Sequence, residues 1–250
     1  MKKIKILLTL ILFTNIAVAQ NLNGVIVYQK EITKFLSESK NFIKKNENQS
    51  KYSNTLLMID QNTKTLLKSI QFSMKFNNFE SLFKVDGFLE LETNRFFKIA
   101  IGPEGSSIYY SNQNNNETLR QVDAYGEKFL IEGMPIHWNL INKTKKIGEY
   151  TCYKATTTKM YKGRKGYVKK LITAWYTPEI AIPYGPVGYN GLPGLIMELS
   201  MYNYRYYVIK IELNPKNRVI IKKPTQGKKV TEEEFRKIGK KAMESLKKGF

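Results

Sequence analysis

His137 and Cys152 have the widest chemical repertoire in this chain, and each is the only residue of its type. A single histidine excludes multi-histidine zinc and di-iron sites, whose ligand sets need several imidazoles. A Cys152–His137 nucleophile pair depends on the fold bringing the two together. Against that pairing, Cys152 lies in Tyr150-Thr-Cys-Tyr-Lys-Ala155, where strand alternation turns it to one face as a small buried hydrophobe. A soft Cu(I) site built from Cys152 with Met134, Met160 or Met197 has no recurring ligand spacing. Glu198 has no paired acid at a fixed distance, and a lone Glu in a strand usually faces water. The glycines of 185–194 do not match a phosphate loop opening a helix. These residues point to no catalytic constellation, no metal site and no cofactor.

The aromatic residues are a more positive signal. Trp138, Trp175, Tyr176, Tyr184 and Tyr189 gather in sequence around a glycine- and proline-rich stretch, and Tyr202, Tyr204, Tyr206 and Tyr207 surround Arg205. Aromatics on strands usually fill a core or brace a curved sheet. The alternative is that they line a concave apolar pocket, the common form of a small-ligand site. Trp138, Trp175, Tyr176, Tyr184 and Tyr189 are therefore the candidate binding surface.

What must position them is the segment Gly185-Pro-Val-Gly-Tyr-Asn-Gly-Leu-Pro-Gly-Leu-Ile196, with four glycines and two prolines in twelve residues. Glycine permits positive φ and close backbone approach, while proline fixes φ and removes a donor, so the path is tightly prescribed. Pro193-Gly194 fits the centre of a type II turn, with positive φ expected at Gly194. Around it the periodicity is that of strands. Ile70, Phe72, Met74 and Phe76 alternate with Gln71, Ser73 and Lys75, a half-buried strand. Similar runs occur at 24–30, 56–59, 96–101, 107–111, 128–131, 150–157, 171–176, 195–200, 204–213 and 219–222. Gly, Asn and Asp clusters punctuate them at hairpin intervals, which favours an antiparallel meander over βαβ units. Asn112–Asn116 reads as a loop tip. The stretch 32–43 has weak helical spacing. One helix is well marked: Thr231 and Glu234 form a capping box, Val230 and Phe235 a hydrophobic staple, and Phe235, Ile238, Ala242 and Leu246 share one face. It is expected to pack on the sheet with its lysines in water, the alternative being a membrane-surface helix.

Lys2, Lys3 and Lys5 precede an apolar run, 6–16, and Ala17-Val-Ala19, the pattern of a cleaved signal peptide. Residues 1–19 are expected to be removed, leaving 20–250 as one β-rich domain in the periplasm or associated with the outer membrane. With one cysteine no internal disulfide forms, so stability must come from a packed core. The formal charge is +20, and +17 without the first nineteen residues. Twelve of the basic residues lie in 215–250 against four glutamates. Such a field favours anionic envelope surfaces, while a merely solvated basic surface is the plainer reading. Export argues against nucleic acid.

Gly191-Leu192-Pro193-Gly194-Leu195-Ile196, with Gly185-Pro186 before it, resembles the motif of the GLPGLI family, exported proteins of Bacteroidetes-type bacteria. Trp138-Asn-Leu, Lys145-Lys-Ile-Gly-Glu-Tyr150-Thr-Cys152-Tyr-Lys-Ala155, Gly163-Arg164 and Ala174-Trp-Tyr-Thr-Pro-Glu-Ile180 are similar to the same family. So, upstream, is Phe72-Ser-Met-Lys-Phe76-Asn77 with Ser81-Leu-Phe83. This chain departs from the pattern in the basic residues of 165–170 and in Ala181-Ile182-Pro183. The resemblance implies an exported location and a family of unassigned function, and it transfers no catalytic residue.

The expected architecture is mainly β: a curved antiparallel sheet, a half-barrel or open barrel, with the carboxyl-terminal amphipathic helix alongside. The half-barrel is an analogy with periplasmic lipoprotein carriers. Three functions fit, in order. The first is a non-catalytic binding or carrier module for an apolar or lipid-like ligand or an envelope protein partner. The second is a structural or assembly accessory at the outer membrane using the basic surface. The third is a hydrolase with an unrecognised site.

Overall fold

The computed structural model describes residues 22–35, 37–38, 50–87, 92–163 and 166–248. The signal segment, the proposed start at Gln20 and half of the weakly helical stretch 32–43 lie outside the described residues; of the rest, Ile32 ends β1 and 33–35 and 37–38 are not helical. Twelve strands form one mixed sheet. They are β1 (Gly24–Ile32), β2 (Gln71–Phe76), β3 (Glu80–Val85), β4 (Ile108–Asn112), β5 (Glu117–Ala124) and β6 (Glu127–Glu132). The others are β7 (Asn139–Ile147), β8 (Tyr150–Gly163), β9 (Gly166–Thr177), β10 (Leu195–Met201), β11 (Tyr204–Leu213) and β12 (Lys228–Thr231). Their order is β12-β6-β5-β4-β3-β2-β1-β11-β10-β9-β8-β7, antiparallel throughout except for the parallel β12–β6 pair. Among the described residues three α-helices accompany the sheet: α1 (Ser50–Leu67), α2 (Phe97–Gly105) and α3 (Glu232–Lys248). None is long and apolar enough to cross a membrane.

Connectivity forces this sheet to curl. β6 and β7 are ten strand positions apart in the order, which in a flat sheet is about 48 Å. The residues 133–138 that join them reach at most about 25 Å even when extended. The two arms therefore bend toward each other into an open half-barrel, with β12 and β7 as unjoined edges. The concave face is apolar by alternation. Ile211, Ile26, Met74, Phe83, Tyr109, Arg120, Ile131 and Val230 make one register row across eight strands, in which Arg120 is the sole charge. Behind the row, Phe72 lies 5.9 Å from Phe83 and 5.1 Å from Tyr206, ring centre to ring centre. The Tyr28 hydroxyl donates to the Ile196 carbonyl at 2.8 Å, tying β1 to β10.

Two expected strands are helices. Residues 56–59 lie in α1, where Ile59, Thr63, Leu66 and Leu67 turn inward at three- and four-residue spacing. Residues 96–101 overlap α2, which buries Phe97, Ala100, Ile101 and Gly105. A short apolar run has the same look in a strand or on one helical face, and these two have the helical period. Among the described residues, 219–222 pair with no strand; instead Ile221 packs against the cluster of Tyr110, Leu119 and Leu130. β3, β5, β7 and β12 were not anticipated. The carboxyl-terminal helix forms as expected. Glu234 N–H donates to Thr231 Oγ1 at 3.2 Å, and Thr231 N–H donates to Glu234 Oε2 at 2.8 Å. Phe235 sits 5.3 Å from Phe129, and with Ile238 it joins the Phe129, Ile131 and Val230 cluster.

Candidate functional site

The two arms leave a cleft of about 480 Å³ between them. One wall is the end of the long register row, Tyr109, Arg120 and Ile131, on β4, β5 and β6. The facing wall is a second row, Thr157, Ile172 and Met201, on β8, β9 and β10. Residues 133–137, which carry the chain from arm to arm, form the rim with Met134, Ile136 and His137. The floor is Val187, Gly188 and Tyr189 from the glycine- and proline-rich segment.

That segment is built to cross the concave face. Ile196 N–H donates to the Tyr184 carbonyl at 3.0 Å, and Leu195 N–H donates to the Ile180 carbonyl at 3.0 Å. At Pro193 the turn is tighter than type II. Gly194 N–H donates to the Leu192 carbonyl at 2.8 Å, a three-residue turn centred on Pro193. Gly194 has φ 152°, and a Cβ there would fall on the Thr177 carbonyl and within 2.8 Å of Pro178 Cα. On the far side Asn190 Nδ2 donates to Ser111 Oγ on β4 at 3.2 Å. Val187 holds φ 49° and ψ 36°, unusual for a β-branched residue. It is buried where the segment meets the opposite arm.

One end of the cleft is ionic. Arg120 pairs with Glu232, the first residue of α3, at 3.0 Å, and its guanidinium lies 5.3 Å from the Phe235 ring. Lys159 and Glu104 also line this end. Loss of water holds the Lys159 ammonium below its ordinary range, opposed in part by Glu232. Burial pushes the Tyr109 phenol well above its ordinary range. The remaining lining mixes hydrocarbon and aromatic side chains with polar ones, among them Ser111, Thr118, Glu132, Asn139 and Thr157.

The candidate aromatics divide. Tyr189 lines the cleft, and Trp138 braces it, 6.0 Å from Tyr189 with its indole N–H donating to the Asn190 carbonyl at 2.8 Å. Tyr184 and Tyr176 are core residues. Trp175 belongs to an ionic ladder on the opposite face, 4.6 Å from Lys145. There Lys145 pairs with Glu198 at 2.9 Å, and Arg205 pairs with Glu31 at 2.7 Å and Glu198 at 3.5 Å. Glu198 is thus part of a charge network rather than solvated alone. Of the motif residues, Gly185, Pro186, Leu192, Gly194, Leu195 and Ile196 are buried, while Gly191 and Pro193 are exposed.

The cysteine and histidine do not meet. Cys152 is buried, its thiol pushed up to about 11 by loss of water, with Lys145, Glu179 and Glu198 as its charged neighbours. His137 stands exposed on the cleft rim. Among the described residues no group of three or more His, Cys, Asp or Glu could hold a metal ion. Arg120 and Lys159 were not singled out from the sequence. Their signal is a charge in an inward-facing row, which exists only once the register across strands is known.

Residues 162–198 match the model of a family described as a protein of unknown function (Porph_ging). This supports a Bacteroidetes-type family of unknown function over a short region, and the GLPGLI name itself is not recovered. No curated protein matches the chain. Two solved structures of PNGF-II are similar in part. That in the C2 space group is 13% identical over 88% of this chain and 33% of its own, with a TM-score of 0.48. That in the P21 space group is 14% identical over 89% and 34%, with a TM-score of 0.47. This chain spans about a third of the length of each.

Proposed function

We propose that the protein is an exported, non-catalytic binding or carrier module of the cell envelope whose cleft takes a lipid-like ligand with a small polar head. The observation that supports this reading is the cleft's lining: Ile131, Ile172, Met201 and Tyr109 on the two arms and a rim of Met134 and Ile136, with Arg120, Lys159, Glu104 and Glu232 grouped together. Its volume falls in the ordinary range for small-ligand sites, about 300–1,000 Å³. Arg120 and Lys159 face Glu104 and Glu232, so a bare anion would meet acids as well as bases. A zwitterionic or hydrogen-bonding head suits both signs, and the hydrocarbon of the ligand would replace water along the walls.

The experiment is a titration with a fluorescent single-chain zwitterionic phospholipid. The expected result is saturable 1:1 binding, weakened about ten-fold or more by Ile136→Asp, which charges the apolar rim, and by Lys159→Ala at the ionic end. Trp175→Ala, on the opposite face, should leave it unchanged. Binding insensitive to both cleft substitutions would reject the reading.

A further inference from the structure

We infer that Glu104 sets the specificity of the cleft by receiving a primary ammonium, so that the ligand's head is of the ethanolamine type and not a choline. The inference rests on the lipid-binding reading of the cleft and narrows its ligand. Four charges gather at the ionic end, Arg120, Lys159, Glu104 and Glu232. Arg120 and Glu232 are committed to each other at 3.0 Å. Glu104 differs from them: among the described residues its carboxylate makes no hydrogen bond and no ion pair. The base beside it is Lys30, since Lys30 Nζ and Glu104 Oε2 both lie within 4.0 Å of where a Gly102 Cβ would stand. That ammonium is buried and donates to the Ala100 and Ile101 carbonyls instead. Glu104 is thus a half-buried carboxylate on the cleft wall with its acceptor positions unused.

The backbone beneath it is fixed. α2 breaks at Gly102, with φ 66° and ψ 176°, and Ser106 N–H donates back to the Gly102 carbonyl at 3.1 Å. The Ser106 and Ser107 hydroxyls both donate to the Pro103 carbonyl, at 3.0 and 3.1 Å. A carboxylate partly removed from water gains most from a group that supplies donors. A primary ammonium brings three N–H donors, as a lysine does, and a trimethylammonium brings none. A quaternary head is held by aromatic faces instead. In this cleft Tyr109 packs on Phe83, ring centres 6.2 Å apart, and a Gly188 Cβ would stand 2.7 Å from its Cδ1. Tyr189 packs on Trp138. These rings contact one another and the backbone, which is the packing of a core and not of an ammonium cage. Arg120 and Lys159, both close enough to Glu104 to share its field, are left to meet the phosphate of the same head.

The test is competition against the fluorescent single-chain phospholipid by three unlabelled ones of equal chain length, kept below their micelle-forming concentrations. They are lysophosphatidylethanolamine, lysophosphatidylcholine and lysophosphatidylglycerol. The native protein should bind the ethanolamine lipid roughly ten-fold more tightly than the choline lipid. Glu104→Gln, which keeps the shape and removes the charge, should bring those two within about three-fold and leave the glycerol lipid as tightly bound or tighter. Glu104→Lys should move the preference to the glycerol lipid. Equal affinity of the native protein for the ethanolamine and choline lipids would overturn the inference, and that comparison needs no variant to fold. So would a preference for ethanolamine that survives Glu104→Gln. If all three lipids bind equally and Ile136→Asp weakens them all, the carrier reading stands and this inference falls; if none binds, both fall.

Discussion

Lys30 carries the most unusual burden of any single side chain. It points to the concave face and is 5% exposed. Its ammonium donates to the Ala100 and Ile101 carbonyls at 3.0 and 2.7 Å, and lies 4.5 Å from the Tyr204 ring. Those carbonyls are freed where Gly102 and Pro103 break α2, so the lysine serves as an internal cap. The cost is loss of water, which brings its pKa down to about 8, partly opposed by Glu104. Because the folded pKa lies below the unfolded one near 10.5, the unfolded chain holds more protons between those values. Stability from this group is therefore lowest below pH 8 and rises across the window. Urea unfolding should show the native protein gaining roughly 2 kcal/mol between pH 7.5 and 9.5 relative to Lys30→Met. Above that, the buried Tyr28 and Tyr206 phenols, both held protonated by burial, act in the opposite direction. Parallel pH curves for the two proteins would contradict the assignment.

The turn at Pro193-Gly194 and the helix α3 place the two ends of the cleft. Gly191 and Gly194 both have positive φ, but only Gly194 lies against backbone, at Thr177; a Cβ on Gly191 meets nothing within 4 Å. Gly191→Ala should thus cost about 1 kcal/mol, from φ alone, and Gly194→Ala about 3 kcal/mol or more because Thr177 must also move. Equal costs in urea unfolding would remove the close approach from the account. For α3, Phe235→Ala should cost about 2 kcal/mol, since the ring contacts Phe129 and Tyr125, while the exposed Met243→Ala should cost little. A helix that lay on a membrane instead would tolerate both.

These elements were unequally legible in the sequence. α3 was readable because its capping box is local chemistry, four residues long. β2 and β11 were readable because their residues alternate. α1 and α2 were not, because four to six apolar residues fit either period, and what decides is the layer they cover. β7, almost wholly exposed, has no buried face to generate alternation. The exact turn at Gly194 depended on Thr177, seventeen residues away. Trp175 and Tyr189 look alike in sequence, and only the register shows that they serve opposite faces.

The whole molecule is a sheet bent by its own connectivity, with residues 133–138 closing the distance between its arms and the 184–194 segment crossing the hollow. A fully packed hollow would make a stable but idle half-barrel. What remains open is bounded by the Tyr109–Ile131 and Ile172–Met201 rows of the two arms and by the Arg120–Glu232 pair at one end. If this arrangement is a carrier, it should be found loaded. The most direct measurement is native mass spectrometry of the protein purified under mild conditions from its own envelope, with the bound species released and identified. The account predicts one lipid-like molecule per chain in the native protein, lost from Ile136→Asp and retained by Trp175→Ala. A bare chain, or equal occupancy in the native protein and Ile136→Asp, would contradict it.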